Sequence, residues 1–580
     1  MAQPQQNISI QAPAFQGLNT EDSPLSQDTT YAQRANNAVL DALGRIGARR
    51  GFRNYVSAWD TQFATAPVGA TNFTPKIHSM SHSEGVDPII GLELTWDDGL
   101  NDVGVTYNFG FVNVSQRTVT VVDIPSPYDT EGSVKGSIVA FNGPNNTNYY
   151  IFGGTHQLVA DPVGKSVLLA SSYPDWFPPQ DDTPKYDTAS TMNGDVACAA
   201  YGRIWVSGVG GDRQTIFYSD LENPVRWYDG TAGQSSGTLN TAGILNVSQY
   251  WPNGVDRIQA IVAHNNMLIV FGRNSILLYG NPQGDPAAVG GIYLQDAIEG
   301  MGAVSRDALC TNGSDILFVD DSGVRSLGRS IQEQSVAIGD LTANVRTEFK
   351  TLLQQNLVKD DVSLTYWPTE AVVVCNFRDE GKAYILDQRK LSSSGGARVT
   401  TWSEVAFDRS LHVEAGESTT VLLGANDDLL FYADFTDRQT DSYVFSYESN
   451  PLTFGDSVRE KFPKRYDITT VTRDVPTQIS ARWGTEGSLE YSKTIDVDAQ
   501  APGFYYNPDY VVAETFDVAG LLLYGDPNSL YGRGETTLKR YRINTKGAGP
   551  LITLGLDATI NGGLFSVQEL NVQTTIGRIY

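Results

Sequence analysis

Residues 258–280 read IQAIVAHNNMLIVFGRNSILLYG. An apolar run is followed by the polar triplet His264-Asn265-Asn266, a second apolar run, the polar group Gly272-Arg273-Asn274-Ser275, and a third apolar run. Short apolar runs rich in β-branched residues and broken by Asn and Gly are strands reversing at tight turns, so this stretch predicts a three-stranded antiparallel meander. The pattern recurs at 198–220 (CAAYGRIWVSGVGGDRQTIFYSD), and again at 308–328, 362–388 and 412–434. Upstream, 91–111 (GLELTWDDGLNDVGVTYNFGF) and 136–154 (GSIVAFNGPNNTNYYIFGG) read the same way. A succession of meanders about 45 to 65 residues apart predicts the blades of a β-propeller, six or seven in number. Closing such a ring hides the long sheet edges.

The rest of the chain fits a mainly β protein of more than one domain. Its 580 residues exceed what one hydrophobic core organises. Hydrophobic residues at 41% and charged residues at 18% exclude a disordered chain. Gly 56, Tyr 28 and Phe 23, with few long helical patterns, fit a turn-rich β fold. We therefore expect an N-terminal arm and interface segment over 1–90, a β-propeller over 91–440 with one inserted helix near 340–358, and a β-sandwich-like domain over 441–580. A short helix is expected at 31–43 (YAQRANNAVLDAL). In the inserted helix, Asp340 is the expected N-cap, and Leu341, Val345, Phe349, Leu352, Leu353 and Leu357 form an apolar stripe for core packing. Beyond 450, FPKRYDITT (462–470) and LKRYRINTK (538–546) echo each other, predicting two related strands. The alternation at 564–580 predicts a C-terminus tied into a sheet.

The net charge of −25 and pI of about 4.5 are the wrong sign for gripping nucleic acid, which takes basic patches to release counterions. They are the right sign for a surface that DNA passes without sticking. The start MAQPQQNISIQAPAF lacks a signal peptide's basic and apolar regions, and no apolar run reaches the ~18 residues of a membrane span. Three cysteines, Cys198, Cys310 and Cys375, each in or beside an expected strand, read as buried free thiols.

Catalytic patterns are few. Gly233-Gln234-Ser235-Ser236-Gly237 matches G-x-S-x-G but sits in a Gly/Ser/Thr-rich loop, where a nucleophile elbow needs strand and helix around it. Gly164-Lys165-Ser166 lacks the phosphate loop's first glycine, with Val159 in its place. Asp320-Asp321-Ser322-Gly323 faintly echoes a sialidase Asp-box but reads as a hairpin turn. His78 and His82 are the one i, i+4 histidine pair, with no third ligand evident for a zinc site. Accordingly no catalytic, cofactor or metal residue is expected. Arg45, Arg49, Arg50 and Arg53 are a basic cluster in an acidic chain, and we expect them at a subunit interface.

Four places in the chain resemble the tail nozzle proteins (tail tubular protein B) of short-tailed bacteriophages and the related propeller proteins called packaged-DNA stabilisation proteins. AQRANNAVLDALGRIGARRGF (32–52) resembles the family's N-terminal pattern of an asparagine, a short helix, a glycine and Arg-x-Gly. TIFYSDLENPVRWYD (215–229) is similar to a strand followed by S-x-x-x-x-P-x-x-W. Residues 258–282 resemble the next blade, and FSVQELNVQTTIGRI the final strand ending in Gly-Arg. The resemblance implies a structural protein without enzyme activity or cofactor, located in the virion after assembly in the host cytoplasm. It implies a homohexameric tube below the portal, joined to a tail adaptor (tail tubular A-like) ring and contacted by tail fibres. That tube retains the genome and lets double-stranded DNA pass on ejection. Two rival readings are a propeller tail protein that binds or cleaves host-surface glycans, and a propeller scaffold with no part in a virus.

Overall fold

The computed structural model describes residues 5–40, 45–56, 59, 71–97, 103–143, 146–153, 156–176, 192–227, 241–252, 254–282, 291–333, 340–355, 362–405, 407–415, 418–432, 441–472, 477–497, 537–561 and 564–577. The chain is mainly β and propeller-like. Successive antiparallel sheets start with the first, made of Thr71–Ser81, Ile89–Asp97, Val103–Asn113 and Thr118–Asp123. The second runs Ser137–Asn142, Thr147–Phe152, Gln157–Asp161, Ser166–Leu169, and the third Val196–Ala200, Arg203–Ser207, Thr215–Tyr218, Gly243–Asn246. The fourth is Ala260–His264, Met267–Phe271, Ser275–Gly280 and Tyr293–Glu299. Residues 258–280 form the first three of its four strands. Its first turn is the pair Asn265 and Asn266 at φ 48° and 59°, both in the left-handed region that a two-residue hairpin of matching twist requires. The fifth sheet is Leu309–Thr311, Ile316–Val319, Val324–Ser326, and the sixth Val362–Trp367, Val372–Phe377, Lys382–Leu391, Ala397–Ser403. The seventh is Phe407–Ala415, Ser418–Ala425 and Leu429–Tyr432, and its fourth strand is Phe52–Asn54, supplied by the N-terminal region.

Apolar clusters join each sheet to the next. Phe109 packs with Ile151 between the first and second, Phe152 with Phe217 between the second and third, and Trp205 with Leu268 between the third and fourth. Phe271 meets Phe318, their rings 5.2 Å apart, and Leu317 lies in one cluster with Val373. Trp367 and Val374 pack with Phe407 and Leu423, and Leu422 with Leu92 returns the cycle to the first sheet. The closing strand is held by Phe52, 1% exposed, against Phe407 at 5.2 Å. Burying one such ring contributes about 1.5–3 kcal/mol.

Two further layers share one core. The outer strand of the sixth sheet continues through Tyr31–Asn36 to Tyr443–Ser449, Thr553–Ile560, Thr477–Gly484 and Tyr491–Val497. The other layer orders Thr537–Asn544, Lys461–Thr472, Phe565–Ile576, Ile46–Ala48 and Ala38–Leu40, with Gln5–Gln11 also on Phe565–Ile576. Tyr447, Ile479 and Leu556 of one lie in the same cluster as Ile468, Ile543 and Leu570 of the other.

Several sequence expectations are corrected. Residues 31–40 are two strands, not a helix: Tyr31–Asn36 pairs with Tyr443–Ser449, and Asn37 at φ 50° breaks any helical run. Long-range pairing overrides the helix propensity of Ala, Leu, Arg and Gln there. Residues 5–11 form a mostly exposed strand paired in register with Phe565–Ile576, an arm laid along that sheet. The propeller-like part begins at Thr71, before position 91, and takes its last strand from residues 52–54. The inserted helix exists as Arg346–Gln355 after a short 3-10 turn, and Leu341, Val345, Phe349 and Leu353 are buried as expected, while Leu357 lies outside the described residues. Asp340 does not cap it. Its carboxylate accepts from Thr342 and pairs with Arg346, and the Thr347 amide and hydroxyl donate instead to Glu21. The two KRY echoes lie on directly paired strands, Lys461–Thr472 and Thr537–Asn544, with Tyr466 and Tyr541 in the shared core. The final strand is tied into its sheet as expected.

Candidate functional site

The first strands of the seven sheets surround a cavity of about 270 Å³. The alternation of each strand sends one face into the neighbouring sheets and the other toward this axis, where Ser79, Ser137, Ser363 and Ser410 contribute hydroxyls. Charge across it is arranged around Asp307. Arg306 Nε donates to Asp307 at 3.2 Å, and an Arg409 guanidinium nitrogen lies 3.0 Å from the other carboxylate oxygen. Arg306 also donates to the carbonyls of Asp195 and Lys135, both at 2.9 Å, so one side chain ties the approaches to the second and third sheets to the fifth. Burial acts to raise the Asp307 carboxyl, but Arg306 and Arg409 outweigh it and hold it at about 2. Asp307 is therefore an anion at neutral pH, matched to two cations.

At the rim stands a second group. His78 on the first strand has its Nε2 2.6 Å from a Glu93 carboxylate oxygen on the second strand. Glu131, first residue of the four-residue helix Glu131–Val134, brings its carboxylate into the same cluster. Burial pushes His78 down to about 4 against the opposing pull of the Glu93 hydrogen bond, leaving a neutral imidazole at neutral pH. Lys76 lies 3.7 Å from Glu93, and Lys135 pairs with Glu131. Among the described residues, these three are the side chains that could together hold a metal ion. Sequence spacing missed them because no rule links position 78 to 93 and 131. The pair that spacing did single out separates: His82 turns to the Glu414 carbonyl at 3.1 Å.

The basic cluster is also divided. Arg49 is 0% exposed, so it is a correction to the expected interface set. Its guanidinium carbon lies 4.3 Å from the Phe52 ring centre and 4.1 Å from that of Tyr443, and its Nε donates to Asn37 Oδ1 at 3.1 Å. Asn37 in turn donates to the Val444 carbonyl and accepts from the Ser403 amide. Arg45, Arg50 and Arg53 are half-buried, with Arg50 3.8 Å from Glu370. Of the other motifs, Asp320 accepts from the Ser322 and Gly323 amides and pairs with Arg325, a hairpin turn as expected. Lys165 pairs with Asp87, and Gly233–Gly237 lie outside the described residues. The three cysteines are free thiols, Cys375 buried and the others half-buried, and burial raises Cys198 to about 12.

Neither a protein-family model nor a curated protein matches the chain. Among solved structures, an exo-beta-1,3-galactanase from Phanerochaete chrysosporium with beta-1,3-galactotriose aligns at 8% identity over 90% of this chain and 100% of that one, with a TM-score of 0.22. The same enzyme with galactose aligns at 8% identity, covering 91% and 100%, with a TM-score of 0.21. The extracellular domain of a one-component system from B. thetaiotaomicron aligns at 12% identity, covering 84% and 60%, with a TM-score of 0.27. The galactanases are enzymes, so the expectation that this chain has no enzymatic activity is withdrawn. Likeness at such scores carries no positive argument for any particular activity. Among the described residues no helix is long and apolar enough to cross a membrane.

Proposed function

We propose that this chain is a virion protein of the tail-nozzle type, a seven-bladed propeller joined to a β-sandwich, whose copies surround a bore for phage DNA. The observation that carries the reading is the joint at Asn37 and Arg49. Within 32–52, where strands stand in place of the short helix of the resembled pattern, Asn37 and Arg49 lock the closing propeller strand to the C-terminal sheets. That gives the Asn and Arg-x-Gly pattern a physical task, building one rigid wall element from two β units. Charge supports it as well, since a net −25 repels a polyanion within roughly a Debye length of ~8–10 Å. The axis of a single copy does not serve as the bore. Its cavity of about 270 Å³ is crossed by Arg306 and Asp307, while the major groove of duplex DNA alone is about 12 Å wide. The bore lies between copies, in a homohexamer stacked on an adaptor ring and contacted by tail fibres. Negative-stain microscopy of the chain, alone and mixed with the adaptor ring, tests this: hollow six-fold tubes support it, and monomers in both samples overturn it.

A second reading is a propeller tail protein that binds or cleaves host-surface glycans. The axial cavity favours it, since the guanidinium groups of Arg306 and Arg409 and the Asp307 carboxylate that line it are hydrogen-bond partners for sugar hydroxyls. Saturation-transfer NMR with host-surface polysaccharide, lost in Arg409→Ala, is the expected result. No transfer from any host saccharide rejects it.

A further inference from the structure

We propose that His78, Glu93 and Glu131 bind a divalent transition-metal cation of the zinc class at the rim of the axial cavity. One ligand atom from each residue lies within 4.8 Å of the others. A tetrahedral zinc ion with bonds of about 2.0–2.2 Å sets its ligands ~3.4 Å apart. The His78 Nε2–Glu93 contact of 2.6 Å opens to that spacing as the metal replaces the proton the two share, and rotation of the exposed Glu131 side chain brings its carboxylate in. The donor set of one imidazole and two carboxylates suits zinc-class ions over magnesium, which takes oxygen alone in an octahedron.

The backbone builds this placement. The register of the first sheet shifts between Ile77 and Ser79, so His78 is an extra residue, bulged out of the ladder. Bulges re-aim side chains in this way and are frequent beside functional sites. Next to it, the Ser79 hydroxyl donates to the Val134 carbonyl at 2.6 Å and pins the short helix whose first residue is Glu131. Gly91 permits that approach, because a Cβ there would lie 2.5 Å from both Ser79 Oγ and the Val134 oxygen. The competing cations hold weakly: Lys135 and Glu131 are 49% and 50% exposed, and Lys76 stands 3.7 Å from Glu93. The exposed Lys135–Glu131 pair contributes little and the Lys76–Glu93 contact is long, so a dication displaces both ammonium groups. The inference is independent of the nozzle and glycan readings.

Titration calorimetry of the full chain with zinc chloride, and separately with magnesium chloride, tests it. The expected result is one zinc ion per chain and no saturable magnesium binding. Glu93→Gln and Glu131→Gln each weaken zinc at least tenfold, and His82→Gln leaves it unchanged. Glu131 is exposed, so its variant keeps the fold even where Glu93→Gln does not. Absence of saturable zinc binding, zinc binding indifferent to Glu131→Gln, or magnesium binding of equal strength would overturn the proposal.

Discussion

Replacing Arg49 by methionine tests the joint directly, because methionine keeps most of the volume and removes the guanidinium. The side chain is fully buried and donates to Asn37 Oδ1 at 3.1 Å and to the Arg50 carbonyl at 2.9 Å. Hydrogen bonds from a charged donor contribute about 1.5–3 kcal/mol each, and a desolvated cation over an aromatic ring about 2 kcal/mol. Against that gross stabilisation stands the cost of burying a charge, several kcal/mol. The net loss in Arg49→Met comes from acceptors stranded by the change, and we expect about 3 kcal/mol. Arg50→Ala is the internal comparison: its Glu370 contact is 3.8 Å long at a side chain 34% exposed, and we expect less than about 1 kcal/mol. Hydrogen exchange read on peptides spanning 31–54 and 443–449 reports the local opening. A 3 kcal/mol loss speeds exchange there by about two orders of magnitude. Equal exchange in Arg49→Met and the parent chain, or a larger effect from Arg50→Ala, would refute the reasoning.

Gly91→Ala places a Cβ 2.5 Å from Ser79 Oγ and the Val134 carbonyl oxygen. The thermal midpoint should drop by the equivalent of about 1–3 kcal/mol, and an unchanged midpoint would count against the pinned helix. For Asp307, the folded carboxyl at about 2 lies below the usual value of 3.8. Its contribution is therefore complete above about pH 4 and lost as pH falls from about 4 to about 2. Asp307→Asn should flatten thermal stability against pH across that window and lower stability at pH 7, where Arg306 and Arg409 lose their anion. Deleting residues 1–54 removes the strand that covers Leu429–Tyr432 and both strands of this region that pair with Phe565–Ile576. The truncated chain should elute as aggregate in size-exclusion chromatography, whereas a dispensable arm would leave it monodisperse.

The small sheets were legible because their cost is local. Strands such as Met267–Phe271 and Val372–Phe377 are buried along nearly their whole length, so their apolar runs stand out, and asparagine or glycine marks many of the reversals. The first strand, Thr71–Ser81, was invisible for the opposite reason: it turns polar residues toward the axis, and a bulge breaks its alternation. Residues 31–40 misled because what fixes them is distant. Ala32 and Ala35 look helical in sequence, yet they face Ser449 and Tyr447 more than 400 positions away. The candidate site was illegible for the same reason. His78, Glu93 and Glu131 are joined by a bulge, a hairpin register and a helix pinned through Val134, none of which leaves a fixed spacing.

The burial of Arg49 changes how an interface hypothesis must be tested. As a surface patch, the cluster would be probed by reversing Arg49 and Arg50 together and asking whether copies still assemble. With Arg49 between Phe52 and Tyr443, that double change places a carboxylate where a cation is stacked on two rings. Failure to assemble would then report a misfolded joint, not a lost contact. Arg50→Glu alone separates the two, since the side chain is partly exposed and its backbone amide keeps its bond to Tyr432. If copies meet through this face, Arg50→Glu leaves the hydrogen exchange of 443–449 unchanged and abolishes six-fold tubes in the presence of the adaptor ring. Intact tubes with unchanged exchange would remove Arg50 from the interface, and the contact would have to be sought on another surface of this acidic chain.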